Sequence, residues 1–202
     1  MTTPQNATVS AQDTVIVVDY GSDDAQLLAR RVREAKVYSE VHAYTAGASA
    51  ILGAQPAALV IAARSTTTEE LPEIDPQLLN AGIPVLAVGG GFLAVTKALG
   101  GTVTLDAASS QVLALDNVDD NSTLFSGQPA TQKVATNHAH IITEPSDGFV
   151  VTASHTSMPV AAAENSEQQL YGMLWNPGSQ ESTHGQAAIK NFLFIAADLS
   201  PD

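Results

Sequence analysis

Apolar positions change their period along the chain, and each change marks an element. Val15-Ile16-Val17-Val18 is a β-branched run that stops at Asp19-Tyr20-Gly21-Ser22, and apolar residues then recur at helical spacing from Gln26 to Glu34, which predicts strand, loop and helix. Val37 to Tyr44 alternates as a strand, Ala48 to Leu52 reads as a short helix, and Ala58 to Ala63 is a buried strand that runs into the polar loop Arg64 to Glu70. Pro76 to Ala81 predicts a helix closed by Gly82, Pro84 to Val88 a fully buried strand, and Phe92 to Leu99 a helix capped by Gly100-Gly101. Gly89-Gly90-Gly91 reads as the turn between that last strand and helix. Beyond Gly101 the texture shifts to short β-type runs, Val112 to Leu115, Lys133 to Thr136, Phe149 to Ala153, Val160 to Ala163 and Leu170 to Trp175, before a closing helix from His184 to Ala197. The order predicts an α/β fold: a mostly parallel central sheet flanked by helices, with antiparallel additions. Residues 1–13 are polar and read as a flexible arm, and 14–202 as one domain.

Composition narrows the chemistry. Apolar residues make up 45% of the 202 residues, enough for a core, and no uninterrupted apolar run is long enough to span a bilayer. The start of the chain has neither the charged nor the apolar stretch of a leader, so a cytoplasmic location is expected. Eight basic residues against twenty-one acidic ones leave a formal charge of −13, which repels phosphate backbones and anionic membranes; neither nucleic acid nor a membrane is expected as partner. The chain has no cysteine, which excludes disulfides, thiolate metal sites and a cysteine nucleophile together.

A buried strand, a tight glycine turn and a helix place the turn at the carboxyl end of a parallel sheet, where α/β enzymes hold ligands and nucleophiles. Gly89 occupies that tip and offers nothing that can attack a carbonyl. The same stretch also fits G-x-G-x-x-A through Gly89, Gly91 and Ala94, a loose match to a dinucleotide fingerprint whose nearest acidic candidate downstream is Asp106. The fingerprint belongs at the first strand of its domain, whereas about three predicted strands precede this loop. A purely structural glycine turn is the third reading.

The order of segments resembles the class I glutamine amidotransferases, and within them the N-terminal glutaminase domain of GMP synthase. Val17-Val18-Asp19-Tyr20-Gly21-Ser22, Gln26 to Glu34 and Val37-Tyr38 resemble that family's opening strand and helix. Thr67-Thr68-Glu69-Glu70, Gly82-Ile83-Pro84-Val85-Leu86, Leu99-Gly100-Gly101, Tyr171-Gly172 and Asn191-Phe192-Leu193 follow in the family's order. The resemblance implies that the elbow cysteine position falls on Gly89, and that the His-Pro-Glu motif supplying base and orienting carboxylate reads Asn176-Pro177-Gly178. None of the three triad groups is then present. It also implies that the loop beside the oxyanion site is Ile61-Ala62-Ala63-Arg64, that the glutamine-contacting Gln after the elbow is Leu93, and that the Ser-His-Gly-Asp segment reads Asn137-His138-Ala139-His140, with His138 alone kept. No Ser-Gly-Gly-x-Asp-Ser pyrophosphatase loop occurs, so any ammonia-using synthetase would have to be another chain.

Other constellations are weaker. His138 and His140 share one side of a strand if they lie in one, with His155 as a third candidate ligand, yet no carboxylate stands at ligand spacing; a pair of cleft-edge polar residues is expected, with no metal and no cofactor. Ser65 to Thr68 beside Arg64 form a hydroxyl cluster that, with the amides of Gly89 to Gly91, is a candidate cradle for a small anion or nucleotide. Arg30, Arg31 and Arg33 read as a solvated, ion-paired helix face, and Trp175 as core. The reading is a catalytically inactive amidotransferase-like module that binds a small ligand or a protein, either a synthetase-like subunit or a second copy of itself. The ligand candidates are Ala63, Arg64, Ser65, Gly89, Gly90, Gly91, Leu93 and His138. The competing reading is an enzyme in the same cleft without a cysteine, with Ser65 or Thr66 as nucleophile and His138 as base. A third is a vestigial duplicate, against which the intact helix ends, turn glycines and apolar periodicity argue.

Overall fold

A computed structural model describes residues 13–64 and 70–202, the side chains at 107–110 and 138 excepted. The first twelve residues of the expected arm, and Ser65 to Glu69 of the hydroxyl loop, lie outside the described residues.

The runs that read as buried in sequence form the middle of an eight-stranded sheet. In chain order its strands are β1 (Val15–Tyr20), β2 (Ser39–Ala43), β3 (Ala58–Ala63), β4 (Val85–Gly89), β6 (Asn117–Val118), β8 (Val150–His155), β9 (Met158–Asn165) and β10 (Leu170–Met173). Their spatial order is β2-β1-β3-β4-β10-β9-β8-β6. The first five neighbours run parallel and the last three are antiparallel. β3 is buried at every position, which explains its uninterrupted Ala-Leu-Val-Ile-Ala-Ala: a central parallel strand covered on both faces has no polar side to show.

The helices are α1 (Ala25–Glu34), α2 (Ala48–Gly53), α3 (Pro76–Leu79), α4 (Gly90–Ala98) and α5 (Gly185–Asn191). α1 presents Ala25, Leu28, Ala29 and Val32 to the sheet at the spacing its sequence carries. α3 starts with Asp75 accepting the Gln77 N–H at 2.9 Å and Pro76 in the first turn, but it ends at Leu79, short of the expected Ala81. α4 begins two residues before the expected Phe92, so Gly90 and Gly91 belong to its first turn and only Gly89 is the turn itself. The closing helix is broken: α5 gives way to a π-helical turn over Phe192–Ala196, which the Ala197 N–H closes on Phe192 O at 2.9 Å.

The largest departure from the sequence pattern is a second sheet. Where short separate strands were expected, β5 (Thr102–Ala114) and β7 (Lys133–Glu144) pair as one long antiparallel ribbon, with a register irregularity between Leu105 and Ser109. It packs on α4, β4 and β9 and arches over the carboxyl ends of the parallel strands. No helix among the described residues is long and apolar enough to cross a membrane.

Candidate functional site

The carboxyl ends of β1, β3, β4 and β10 meet the ribbon at a cavity of about 400 Å3. Gly89 lies at its floor. Its backbone (φ +56°, ψ −123°) is one that L-residues avoid, the strained turn of a nucleophile elbow, and a Cβ built there meets nothing nearer than Ala63 O at 3.9 Å. The elbow thus keeps its conformation and the room for a side chain, and the residue at its tip has none.

The next two glycines have a different reason. A Cβ at Gly90 would stand 2.6 Å from Ala63 O and also strike Arg64 O; one at Gly91 would strike Ile61 O and lie 2.9 Å from Ile61 C. They let the start of α4 press against the end of β3 and are buried there. The backbone of β3 therefore packs against the Cα atoms of the first turn of α4. Leu93, fully buried, points into the core and does not line the cavity; nor do Gly90 and Gly91. Of the expected ligand positions, Ala63, Arg64 and Gly89 do line it. Ser65 and Thr66 lie outside the described residues, as does the side chain of His138, whose backbone pairs with Ser109 in the ribbon.

Asn176, beyond the end of β10, forms part of the opposite wall and serves as a strut. Its Oδ1 accepts the Gly178 N–H at 2.8 Å, its amide hydrogen-bonds the Asp24 carboxylate, and its carbonyl accepts the Ser182 hydroxyl at 2.8 Å. Gly178 does not line the cavity; a Cβ built there would lie 3.1 Å from Asn176 Oδ1 and 3.2 Å from Leu27 Cγ, and its carbonyl accepts Arg31 Nε–H at 3.0 Å. Arg31 therefore does more than decorate a solvated helix face: it ties α1 to the 176–178 turn while also pairing with Glu34 at 2.7 Å. Arg30 does behave as expected, exposed and paired with Glu34.

Electrostatics set the cavity's preference. Among the described residues its charged lining consists of Asp23, Asp24, Glu181 and Arg64. Arg64 is engaged by both oxygens of Asp23, at 2.8 and 3.0 Å, an exposed pair of the kind that contributes at most about 1 kcal/mol. Burial raises the Asp24 carboxyl above the ordinary aspartate range, the charge of Asp23 adds to this, and the Asn176 hydrogen bond opposes it. Among the described residues, three acidic side chains and one guanidinium thus line the cavity.

The remaining candidates fall elsewhere. His140 is no cleft-edge residue: it is buried between the ribbon and α4, its Nδ1 has no partner among the described residues, and burial followed by the charge of Lys97 depresses its pKa. Among the described residues no group of three or more His, Asp or Glu side chains is arranged to hold a metal. Trp175 is core, stacked on Phe125 with centroids 5.7 Å apart. The walls that sequence reasoning missed are Asp23, Asp24 and Glu181 in loops and Gln111, Val112 and Thr136 on the ribbon. Asp23-Asp24 directly after the Asp19-to-Ser22 turn was the one visible hint.

A parallel sheet with an elbow at the end of β4 and this cavity above it defines a class, and the family model for class-I glutamine amidotransferases matches residues 16–196. The chain belongs to that family. It is 42% identical over 198 residues to the GMP synthase (glutamine-hydrolyzing) of Streptomyces coelicolor, covering 96% of this chain and 37% of that protein. Against the Corynebacterium glutamicum enzyme of the same name it is 42% identical over 190 residues, 92% of this chain and 36% of the relative. The chain thus spans just over a third of the length of these curated relatives. Among solved structures, the fold is shared with a Thermoplasma acidophilum protein described provisionally as one of the subunits of a GMP synthase (TM-score 0.77, 21% identity, 92% of this chain and 94% of that one). It is shared also with a glutamine amidotransferase from Thermotoga maritima (TM-score 0.67, 11% identity, 92% and 99%).

Proposed function

We propose that this chain is a GMP synthase glutaminase-like domain that no longer hydrolyses glutamine and serves as a binding module. One observation carries the reading: the elbow at the floor of the cavity retains its strained backbone, with φ of +56° and an open Cβ position, but is occupied by Gly89 in a chain without cysteine. Amide hydrolysis through an acyl-enzyme needs a nucleophile there, a base beside it and a group to orient the base. Asn176 cannot accept a proton at neutral pH and is spent on Gly178 and Asp24, and Gly178 has no side chain.

The cavity itself persists, with a polar lining and an excess of carboxylates. It supports binding of a small polar ligand, glutamine or an amine-bearing relative of it, in preference to an anion. The relatives carry the matching region within a longer protein, so a synthetase region or subunit is the proposed partner of the module.

Thermal unfolding of the purified protein against glutamine, glutamate, small amines, nucleotides and phosphate tests the binding role. A ligand at 100 times its Kd stabilises by about 2.7 kcal/mol, which in a chain of this size raises Tm by roughly 5–10 °C. Stabilisation by glutamine or an amine, lost on replacing Asp24 with alanine, is the expected result. A panel without effect even at millimolar concentrations would overturn the ligand-binding role.

A further inference from the structure

Among the described residues β2 is the outer strand of the eight-stranded sheet, and its outward edge is self-complementary. The Val15 N–H bonds Tyr38 O at 3.0 Å, so the backbone groups of residue 38, and by strand alternation those of 40 and 42, face β1. Those of Ser39, Val41 and Ala43 therefore face outward. Arg33 confirms the direction by reaching the Ser39 carbonyl from α1 at 3.3 Å, which leaves that oxygen a second lone pair. The strand itself carries no proline, no lysine and no bulge.

The side chains on the face away from α1 alternate Tyr38, Glu40, His42, Tyr44, symmetrically about Val41. Tyr38 is 48% exposed and Tyr44 52%, and Glu40 links its neighbours by accepting Tyr38 Oη–H at 3.1 Å and lying 2.9 Å from His42 Nε2. Tyr44 is held by stacking on Tyr20, with centroids 5.0 Å apart.

We propose that two copies of this chain associate through antiparallel pairing of β2 with β2, about a two-fold axis at Val41. In that register the outward-facing residues make the hydrogen-bonded pairs, Val41 with Val41 and Ser39 with Ala43. The non-hydrogen-bonded pairs, whose side chains approach more closely, set Glu40 of each copy opposite His42 of the other. A like-charge pair, Glu40 against Glu40, arises only in a shifted register. Tyr38 and Tyr44, a residue type enriched at interfaces, close the two ends. α1 packs over β1 and β2, so at a strand spacing of about 4.8 Å the two α1 helices come to lie about 10 Å apart, an ordinary packing distance. This contact is independent of the cavity and of the catalytic reading above.

Sedimentation equilibrium between about 1 and 100 µM tests the pairing. The expected result is twice the monomer mass, with two changes on substitution. His42→Glu sets glutamates against Glu40 and weakens the dimer by an order of magnitude or more in Kd, and the exchange Glu40→His with His42→Glu restores it. Amide exchange gives a second readout on the unaltered protein: the Val41 N–H, open in the monomer, becomes protected as concentration rises. A monomer at 100 µM, a dimer indifferent to His42→Glu, an exchange variant that stays monomeric, or a Val41 amide whose exchange ignores concentration would each overturn the proposal.

Discussion

Replacing Gly89 with alanine separates the two reasons for which glycine stands in this loop. At Gly89 the added Cβ meets only Ala63 O at 3.9 Å, an ordinary contact, so the cost is backbone strain at φ +56° alone. Such conformations cost of order 1–3 kcal/mol for an L-residue, and the stiffer unfolded chain returns about 0.4–1 kcal/mol. The net is a destabilisation of about 1.5 kcal/mol, a fall in Tm of roughly 3–6 °C in a chain of this length. Gly91 is the control. Its backbone is helical and unstrained, but a Cβ there strikes the Ile61 carbonyl, so β3 and α4 must separate inside a close-packed core, at a cost of about 1–3 kcal/mol or more. Thermal and urea unfolding of both variants, followed by circular dichroism, should therefore rank Gly91→Ala below Gly89→Ala, with both below the parent protein. A Gly89→Ala variant as stable as the parent would refute the strained-elbow geometry, and one less stable than Gly91→Ala would refute the open space above it.

Two further outcomes follow from the site and its surroundings. Asn176→Ala strips the buried Gly178 N–H of its acceptor and the Asp24 carboxylate of a donor; a loss of about 1–3 kcal/mol in denaturant unfolding is expected, with the Asp24 carboxyl titrating at still higher pH by NMR. His140 is held neutral by burial and by Lys97, so its folded pKa lies below that of the unfolded chain. Below about pH 6.5 the unfolded state takes up the proton first, and stability falls as pH falls. The drop in urea midpoint between pH 7.5 and 5.5 should be smaller in His140→Leu than in the parent, and equal drops would show that His140 is not the buried neutral group described.

The central sheet was legible because β1, β3 and β4 are covered on both faces and so read as unbroken apolar runs bounded by Gly, Pro or Asp. The ribbon was not: Thr102 to Asp106 alternates for only five residues before the small and polar run Ala107 to Gln111, and the length of the strand comes from pairing with β7. The elbow could be placed to the residue, since a strand-Gly-helix junction is a local feature. What surrounds it could not. The oxygens of Ile61, Ala63 and Arg64 that require glycine at Gly90 and Gly91 come from β3 and the residue after it, about 30 residues earlier in the chain. The acid wall of Asp23 and Asp24, and the strut formed by Asn176, likewise depend on which loops the sheet order brings together.

Ammonia release from glutamine reads the chemistry at Gly89 without an intermediary. The purified protein is incubated with glutamine at neutral pH, alone and with a GMP synthase synthetase region, and ammonia is followed by a coupled assay against a heat-denatured control. Without a nucleophile at the elbow, no release above the control is expected at any glutamine concentration. Sustained release proportional to protein concentration and reproduced in independently purified preparations would contradict the account.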